Sequence, residues 1–434
     1  VKSLAAAAKL TAAVAPNTLR AVLDSGKRLE PALSEALETQ REARRGDRRL
    51  AARALAALLR WWGWIEPLRL VHVEEQLALA WLLDSTDTEG VCRVWAARTG
   101  HPPDRMIAVG DAPGWTARAE GLKRWVGGRA VNADPWLLFP TWLREQVPLP
   151  PGDLPAKARR LAFLHAVQSR GPLWVAIRGG SEKAIWIELR EAGLNPWVHR
   201  QLPTAARLDP DTDLSELRAF REGELVIQDL VSQAVGKVCD PDPGERWWDV
   251  HAGAGLHALQ LGALMENKGT VITTVENEKR RGETALRLRR HAFRNIAAKA
   301  WDGRHAPGKS GSFDGVLVDA PCSGVGHWRR HPEVRWTVSK DDLPRLAAQQ
   351  RALLELACAA VRHGGTLVYS VATATVLETT EVVTAFLAAQ PQFRLDPFPH
   401  PLEESSTSGM IQLWPQIHDG EARFIARMVR TATS

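Results

Sequence analysis

Cysteine is scarce in this chain. Cys92, Cys239, Cys322 and Cys358 are the four among 434 residues, and no two of them form a Cys-x-x-Cys pair. That spacing excludes a disulfide framework and the usual zinc patterns, and it predicts a reducing, cytoplasmic setting. No charge-free run of about 18 apolar residues occurs, so neither a membrane-spanning helix nor a membrane partner is expected. The opening VKSLAAAAKLTAAVAP has the lysine and alanines of a leader peptide. Lys9 interrupts its apolar run and Pro16 would follow the cleavage point, so a helix is expected instead. A single tyrosine stands against 18 tryptophans, an imbalance for which the sequence offers no physical account. Neither charge dominates: 56 Lys+Arg against 50 Asp+Glu leave +6, which permits a nucleic-acid partner without demanding one.

Hydrophobic residues at 45% are enough for real cores, and the length allows two to four domains at roughly 100–200 residues each. Residues 1–150 read as helical, with Leu19, Val22, Leu23, Leu29, Leu33 and Leu37 at helical spacing. A basic patch, Arg41 to Arg49, precedes the apolar helix LAARALAALLRWWGWIEPL. The patch reads as a solvated helix end or an RNA contact, and Trp61, Trp62 and Trp64 as core. A Pro-rich hinge over Pro148–Gly152 marks a boundary. Residues 151–238 read as a small α/β linking domain, with a strand over Leu173–Gly179, a helix over SEKAIWIELREAGL, a turn near Asp209–Asp213 and a strand over Glu224–Asp229. From 239 to 434, strands alternate with helices: RWWD to Asp249, TVITTVE to Glu276, a short strand ending near Asp302, GVLVD to Asp319, a helix over Leu343–Arg362, then GTLVYS over Gly365–Ser370, with MIQLW and ARFIARMV last. Such alternation predicts an α/β fold with a doubly wound, largely parallel, Rossmann-like sheet.

Open α/β sheets place their chemistry at the carboxyl ends of the strands. Two loops there stand out. In Asp249-Val-His-Ala252-Gly253-Ala254-Gly255-Leu-His257, the glycines permit close backbone approach and the following helix offers N–H groups. Glu276, at the end of the next strand, suits a ribose diol; this pattern serves dinucleotides and S-adenosylmethionine alike. In the second loop Val316-Leu317-Val318 runs into Asp319-Ala320-Pro321-Cys322-Ser323-Gly324, placing a carboxylate, a proline-braced turn and a thiol at a strand end. His251, His257, His327 and His331 flank both loops without zinc spacing, so no metal is expected. His257 reads as a solvated loop histidine, or else as a proton shuttle or RNA contact. Arg329, Arg330 and Arg335, with Trp328 and Trp336, suit phosphates and a stacked base.

The run Asp319 to Gly324, followed by Arg329-Arg330-His331-Pro332, resembles the signature of the Sun-type RNA cytosine-5 methyltransferases. Phe139 to Leu143, Gly223 to Asp229, Gln350 to Leu354, Gly364-Gly365, Leu367 to Ser370, and Pro415 with Asp419-Gly420 and Phe424 to Ala426 are similar to further stretches of that family. Gly46 to Arg60 resembles its NusB-like RNA-binding domain. The resemblance implies a class I methyltransferase domain, the donor S-adenosyl-L-methionine, and a flipped base of rRNA or tRNA as substrate. It also implies that Ala252, Gly253, Ala254, Gly255 and Glu276 hold the methionine and ribose parts, that Asp302 holds the adenine, and that Asp319 lies near the transferred methyl. A monomer is expected.

Family members carry two cysteines. The one resembling Cys322 assists product release, and the nucleophile lies in Tyr-Ser-Thr-Cys-Ser after the fifth strand. Here that stretch reads Tyr369-Ser370-Val371-Ala372-Thr373, and the family's Asn downstream is Thr379. The first loop departs too: the family's Cys-Ala-Ala-Pro-Gly-Gly-Lys is replaced by His251 to His257. An alanine methyl cannot add to a pyrimidine, which leaves Cys322 as the thiol at a strand end. Three functions remain open: cytosine-5 transfer with Cys322 as nucleophile, methylation of a nitrogen or ribose oxygen without a covalent adduct, or RNA binding and assembly without transfer.

Overall fold

The computed structural model describes residues 2–38, 40, 44–84, 90–100, 114–127, 131–250, 253, 255–291 and 293–431. The chain divides into two units, one of residues 1–145, 167–170 and 327–340, the other of 146–166, 171–326 and 341–434. No helix among the described residues is long and apolar enough to cross a membrane.

The first unit is helical among its described residues, with principal helices Lys2–Leu23, Leu29–Glu38, Arg45–Arg60, Val73–Asp84, Val91–Thr99 and Gly114–Trp125. In Arg45–Arg60, Ala51, Ala54, Leu55 and Leu58 recur every three or four residues and are buried, as an amphipathic helix requires. This helix stops at Trp61, and a short one, Trp62–Ile65, follows. Gly63 is needed there, because a Cβ would stand 1.8 Å from the Leu137 carbonyl oxygen. Trp61 and Trp64 are core, with ring centroids 5.3 Å apart.

Residues 327–340 pack inside this helical unit. Trp328 is fully buried, its ring 6.0 Å from Phe139 and 5.9 Å from Trp142. Arg335 is 1% exposed; its guanidinium donates to the carbonyls of Leu138 (3.1 Å), Val167 (3.3 Å) and Trp328 (3.3 Å), and to Gln168 Oε1 at 2.6 Å. Trp336 Nε1 donates to the Leu59 carbonyl at 2.6 Å. Arg329 is buried and donates to Ser169 Oγ at 3.3 Å. The expected RNA contacts at Arg329 and Arg335 and base stacking at Trp328 are therefore corrected: these groups are consumed by internal packing. Arg330 is half-buried.

The second unit holds two sheets. The smaller has the order β2-β3-β1-β4, from β1 (Leu173–Ile177), β2 (Trp197–His199), β3 (Leu202–Leu208) and β4 (Leu225–Ile227), with every pair antiparallel. The larger contains β5 (Arg246–Val250), β6 (Thr270–Val275), β7 (Ile296–Ala300), β8 (Phe313–Asp319), β9 (Val361–Val371), β10 (Phe393–Leu395), β11 (Met410–Leu413) and β12 (Arg423–Arg430). Its order is β10-β12-β9-β8-β5-β6-β7, with β11 also on β12. Strands β5 to β9 pair in parallel, and β12 runs antiparallel to β9. This is the doubly wound sheet expected. Adjacent tryptophans serve opposite faces, as a strand's two-residue period dictates: Trp247 packs with Val231, Val235 and Leu261, and Trp248 with Phe313 and Leu354. The helix expected over Leu343–Arg362 spans Asp342–Cys358, because Val361 already pairs with Phe313.

Candidate active site

Strand β5 lies between β6 and β8, so the strand order reverses beside it and a crevice opens at the carboxyl ends of β5 and β8. Asp319 closes β8 there. Its Oδ1 accepts from Arg423 Nη1 at 2.6 Å, and the same Nη1 donates to Ser370 Oγ at 2.7 Å. Asp319 Oδ2 lies 3.3 Å from His257 Nε2. Burial alone would raise the Asp319 carboxyl, but the charges of Arg423 and His257 overcome it and hold the group well below the usual carboxylate range. Its side chain keeps 29% of its surface open, so an ionised oxygen faces the crevice.

His257 opens the helix Leu256–Leu264, which Gly255 caps at φ 76°. Its side chain is 11% exposed, which corrects the reading of it as a solvated loop residue. Its Nδ1 is buried without a hydrogen-bond partner among the described residues. Behind it, buried Asp249 accepts from Thr273 Oγ1 at 3.0 Å through Oδ2, while its Oδ1 likewise lacks a partner. Burial raises the Asp249 carboxyl to about 6, against the opposing charge of His257.

Cys322 is half-buried after β8, while Cys92, Cys239 and Cys358 are buried. Burial, then the negative charge of Glu378, pushes the Cys322 thiol up to about 12, so at neutral pH the structure holds a thiol rather than a thiolate. Glu378 is fully buried. It accepts from the Ser323 backbone N–H (2.8 Å) and Oγ (2.5 Å), from Gln350 Nε2 (3.0 Å) and from Thr375 Oγ1 (2.7 Å). Tyr369 OH donates to its carbonyl at 2.7 Å. This carboxylate clamps the turn that carries Cys322. Ala372, in the family's nucleophile position, is buried beside the same turn, its carbonyl accepting from Gly326 N at 3.0 Å.

A cavity of about 440 Å³ is lined by Glu276, Trp301, Asp302, Gln349, Leu353 and Leu356. It brings the expected ribose acid and adenine acid to one hollow. Asp302 also caps its own turn, accepting from the N–H groups of Arg304 (2.8 Å) and His305 (3.1 Å), bonds that lower its carboxyl to about 2. Gly253 is exposed, whereas Ala252 and Ala254 lie outside the described residues. The hollow, the glycine-capped helix and the unpartnered polar atoms of Asp249 and His257 fit a nucleoside joined to an amino acid. Sequence reasoning missed Arg423, Glu378 and Trp301. The flanking acid hinted at Trp301, but no local signal marked the other two.

One further polar group lies elsewhere in this unit. His400, Glu403 and His418 offer ligand atoms within 4.8 Å of one another. The Nδ1 atoms of His400 and His418 accept from the backbone N–H groups of Leu402 and Trp414, both at 3.1 Å. His418 Nε2 lies 3.1 Å from Glu403 Oε1, and His400 Nε2 lies 3.9 Å from Glu403 Oε2.

Residues 237–429 match the family model described as 16S rRNA methyltransferase RsmB/F. Ribosomal RNA small subunit methyltransferase B of Klebsiella pneumoniae is 30% identical over 275 residues, covering 62% of this chain and 62% of that protein. The same-named protein of Yersinia pestis is 29% identical and covers 70% and 68%. The chain thus spans somewhat less than two thirds of the first of these relatives. Among solved structures, PH0851 superposes with a TM-score of 0.72 over 98% of this chain and 99% of that one at 23% identity. NSun6 from Pyrococcus horikoshii with SFG gives 0.55 over 64% and 96% at 18% identity. At those identities the two structures speak for the fold. Over residues 237–429 this chain is thus similar to the methyltransferase domain of the RsmB/F family.

Proposed function

We propose that the protein transfers a methyl group from S-adenosylmethionine to carbon 5 of a cytosine in ribosomal or transfer RNA. The observation that carries this reading is the Asp319–Cys322 turn at the carboxyl end of β8, in the same sheet edge as Glu276 and the Asp302 hollow. S-adenosylmethionine supplies the electrophilic methyl on a sulfonium. The chain's own groups have the rest to do. Carbon 5 of cytosine is a poor nucleophile until a thiolate adds at carbon 6; after transfer a base takes the carbon-5 proton and the electron pair left behind expels the thiolate. Cys322 is the thiol placed for that addition. Because burial and Glu378 hold the resting thiol protonated, it must pass its proton to water as substrate engages. Asp319, kept ionised by Arg423, accepts hydrogen bonds from a base amino group and stabilises positive charge on the ring. The base must leave its stack to reach this depth. The helical residues 1–150, with 151–238 as a linking domain, and Arg330 would contact the RNA; the protein would act as a cytoplasmic monomer.

Ala372 and the raised Cys322 thiol together favour a second reading: transfer to a ring nitrogen or ribose oxygen, or RNA binding without transfer. Incubation of RNA from a strain lacking the gene with labelled donor, followed by mass spectrometry of nucleosides, tests both. The first reading expects 5-methylcytidine, abolished in Cys322→Ser. A nitrogen- or ribose-methylated product, full activity of Cys322→Ser, or no transfer would sink it.

A further inference from the structure

Between Glu283 and Asp302 the chain holds no acid, while Arg287, Arg289, Arg290, Arg294 and Lys299 all fall there. The helix Glu278–Arg289 divides accordingly. In its first half the arginines are paired, Arg280 with Glu283 at 3.3 Å and Arg281 with Glu278 at 2.5 Å. At its far end Arg289, Arg290 and Arg294 are exposed. Close to that end lies Arg178, which follows β1 and is only 6% exposed. We propose that Arg178, Arg289, Arg290 and Arg294 form a phosphate-binding seam between the small sheet and this helix, along which the RNA backbone lies. The inference rests on the reading of the substrate as RNA.

Arg178 carries most of the argument. Its Nη1 donates to the Ile177 carbonyl at 3.1 Å and its Nη2 to Gln228 Oε1, both neutral acceptors, and its Nε has no partner among the described residues. Glu224, whose backbone carbonyl accepts from the Arg178 N–H at 2.8 Å, turns its carboxylate to Arg218 at 2.9 Å. Burial draws the Arg178 guanidinium down to about 9 and no acid opposes the shift, so at neutral pH an uncompensated positive charge sits beneath the surface. A buried cation without an anion is costly, and a phosphate arriving from outside offsets that cost. His291 closes the seam, its Nδ1 against the Gly223 carbonyl. Burial, opposed by that bond, lowers the imidazole, and each charged group that acts on it is a cation: Arg178, Arg287 and Arg290. Gly223, at φ 79°, lets the two sides meet, since a Cβ there would stand 2.8 Å from His291 Nδ1 and 3.0 Å from the Arg290 carbonyl oxygen. The helix is buried at Thr284 and Leu288, and a Cβ on Gly255 would lie 3.2 Å from Thr284 Cγ2, which sets the seam beside the donor loop. One or two cations satisfy a helix C-terminus; Arg294 and Arg178 lie beyond that need. Guanidinium forks match phosphate oxygens, and a group of them facing no acid attracts a polyanion.

Fluorescence anisotropy of the full chain with a labelled stem-loop RNA, titrated between about 50 and 200 mM salt, tests this without calling on methyl transfer. Arg289→Ala, Arg290→Ala and Arg294→Ala combined should weaken binding at the lower salt by about tenfold or more, and reduce the slope of log affinity against log salt by about 2–3. Lys268→Ala, Lys309→Ala and Arg394→Ala combined remove as much exposed charge elsewhere on the same unit and should change both quantities little. Arg178→Met should weaken binding severalfold, whereas Arg178→Lys, which keeps the charge, should not. An unchanged salt slope in the Arg289, Arg290 and Arg294 variant, or a loss no larger than in the control, overturns the inference and leaves the RNA reading standing. Equal binding by wild type and folded Arg178→Met overturns the part given to Arg178. No binding by the wild type at either salt overturns the RNA reading and the inference with it.

Discussion

Cys322 and Asp249 show how burial sets the chemistry of single residues here. The Cys322 thiol is raised to about 12 by burial and by Glu378, so the protein alone should be nearly inert to alkylation at this residue. Its iodoacetamide rate at pH 7, followed on the Cys322 peptide, should lie on the order of a hundredfold or more below that of an exposed cysteine. Glu378→Gln should raise that rate by removing the nearby charge. Asp249 gives a stability signature. An unfolded aspartate ionises near about 3.9, whereas burial raises this one to about 6. The stability it contributes is present below the unfolded value and is lost as pH rises through the folded one. By pH 7.5 the ionised carboxylate costs on the order of 2 kcal/mol relative to pH 4. Asp319 runs the other way, its stabilisation present above about pH 4 and lost only in stronger acid. Asp249→Asn should therefore gain on the wild type in urea unfolding at pH 7.5 and lose that gain near pH 4.5.

Among the elements, what could be read in advance follows the strength of the local pattern. Strands β5 to β9 were legible because each is an apolar run broken by turn residues, with a helix between most pairs. The edge strands β2 and β10 are three residues long, and the inner strand β3, Leu202–Leu208, carries no strict alternation, so these strands left no signal. The Cys322 turn was legible, but its clamp was not: Glu378 lies 55 residues from Ser323, and a lone glutamate reads as surface. Arg329 and Arg335 misled for the same reason, since their partners lie 160 and 167 residues away. Close packing also fixes this turn. A Cβ on Gly326 would meet the Ala422 carbonyl oxygen at 2.1 Å. Gly326→Ala should cost roughly 1–3 kcal/mol in chemical denaturation and lower methyl transfer by displacing the turn.

At the scale of the whole molecule, residues 327–340 are joined in sequence to the second unit yet find their core among the helices of the first unit. Deleting residues 1–145 would strip Trp328 and Arg335 of Phe139, Trp142 and Leu138. Hydrogen exchange over residues 327–340 should then be fast, where in the full chain it is protected, and the truncated protein should aggregate through its exposed apolar surface. Methyl transfer should fall with it, because the Cys322 turn leads directly into that segment.

The central claim, that Cys322 attacks the base, is tested most directly by trapping the adduct. RNA carrying 5-fluorocytidine has no carbon-5 proton to lose, so an adduct formed at carbon 6 cannot be expelled after methyl transfer. Mass spectrometry of the protein incubated with such RNA and S-adenosylmethionine should find a methylated fluorocytidine nucleotide on the Cys322 peptide, and none in Cys322→Ser. Methylation of ordinary RNA with no trapped adduct, or a nucleotide attached to any other residue, would contradict it.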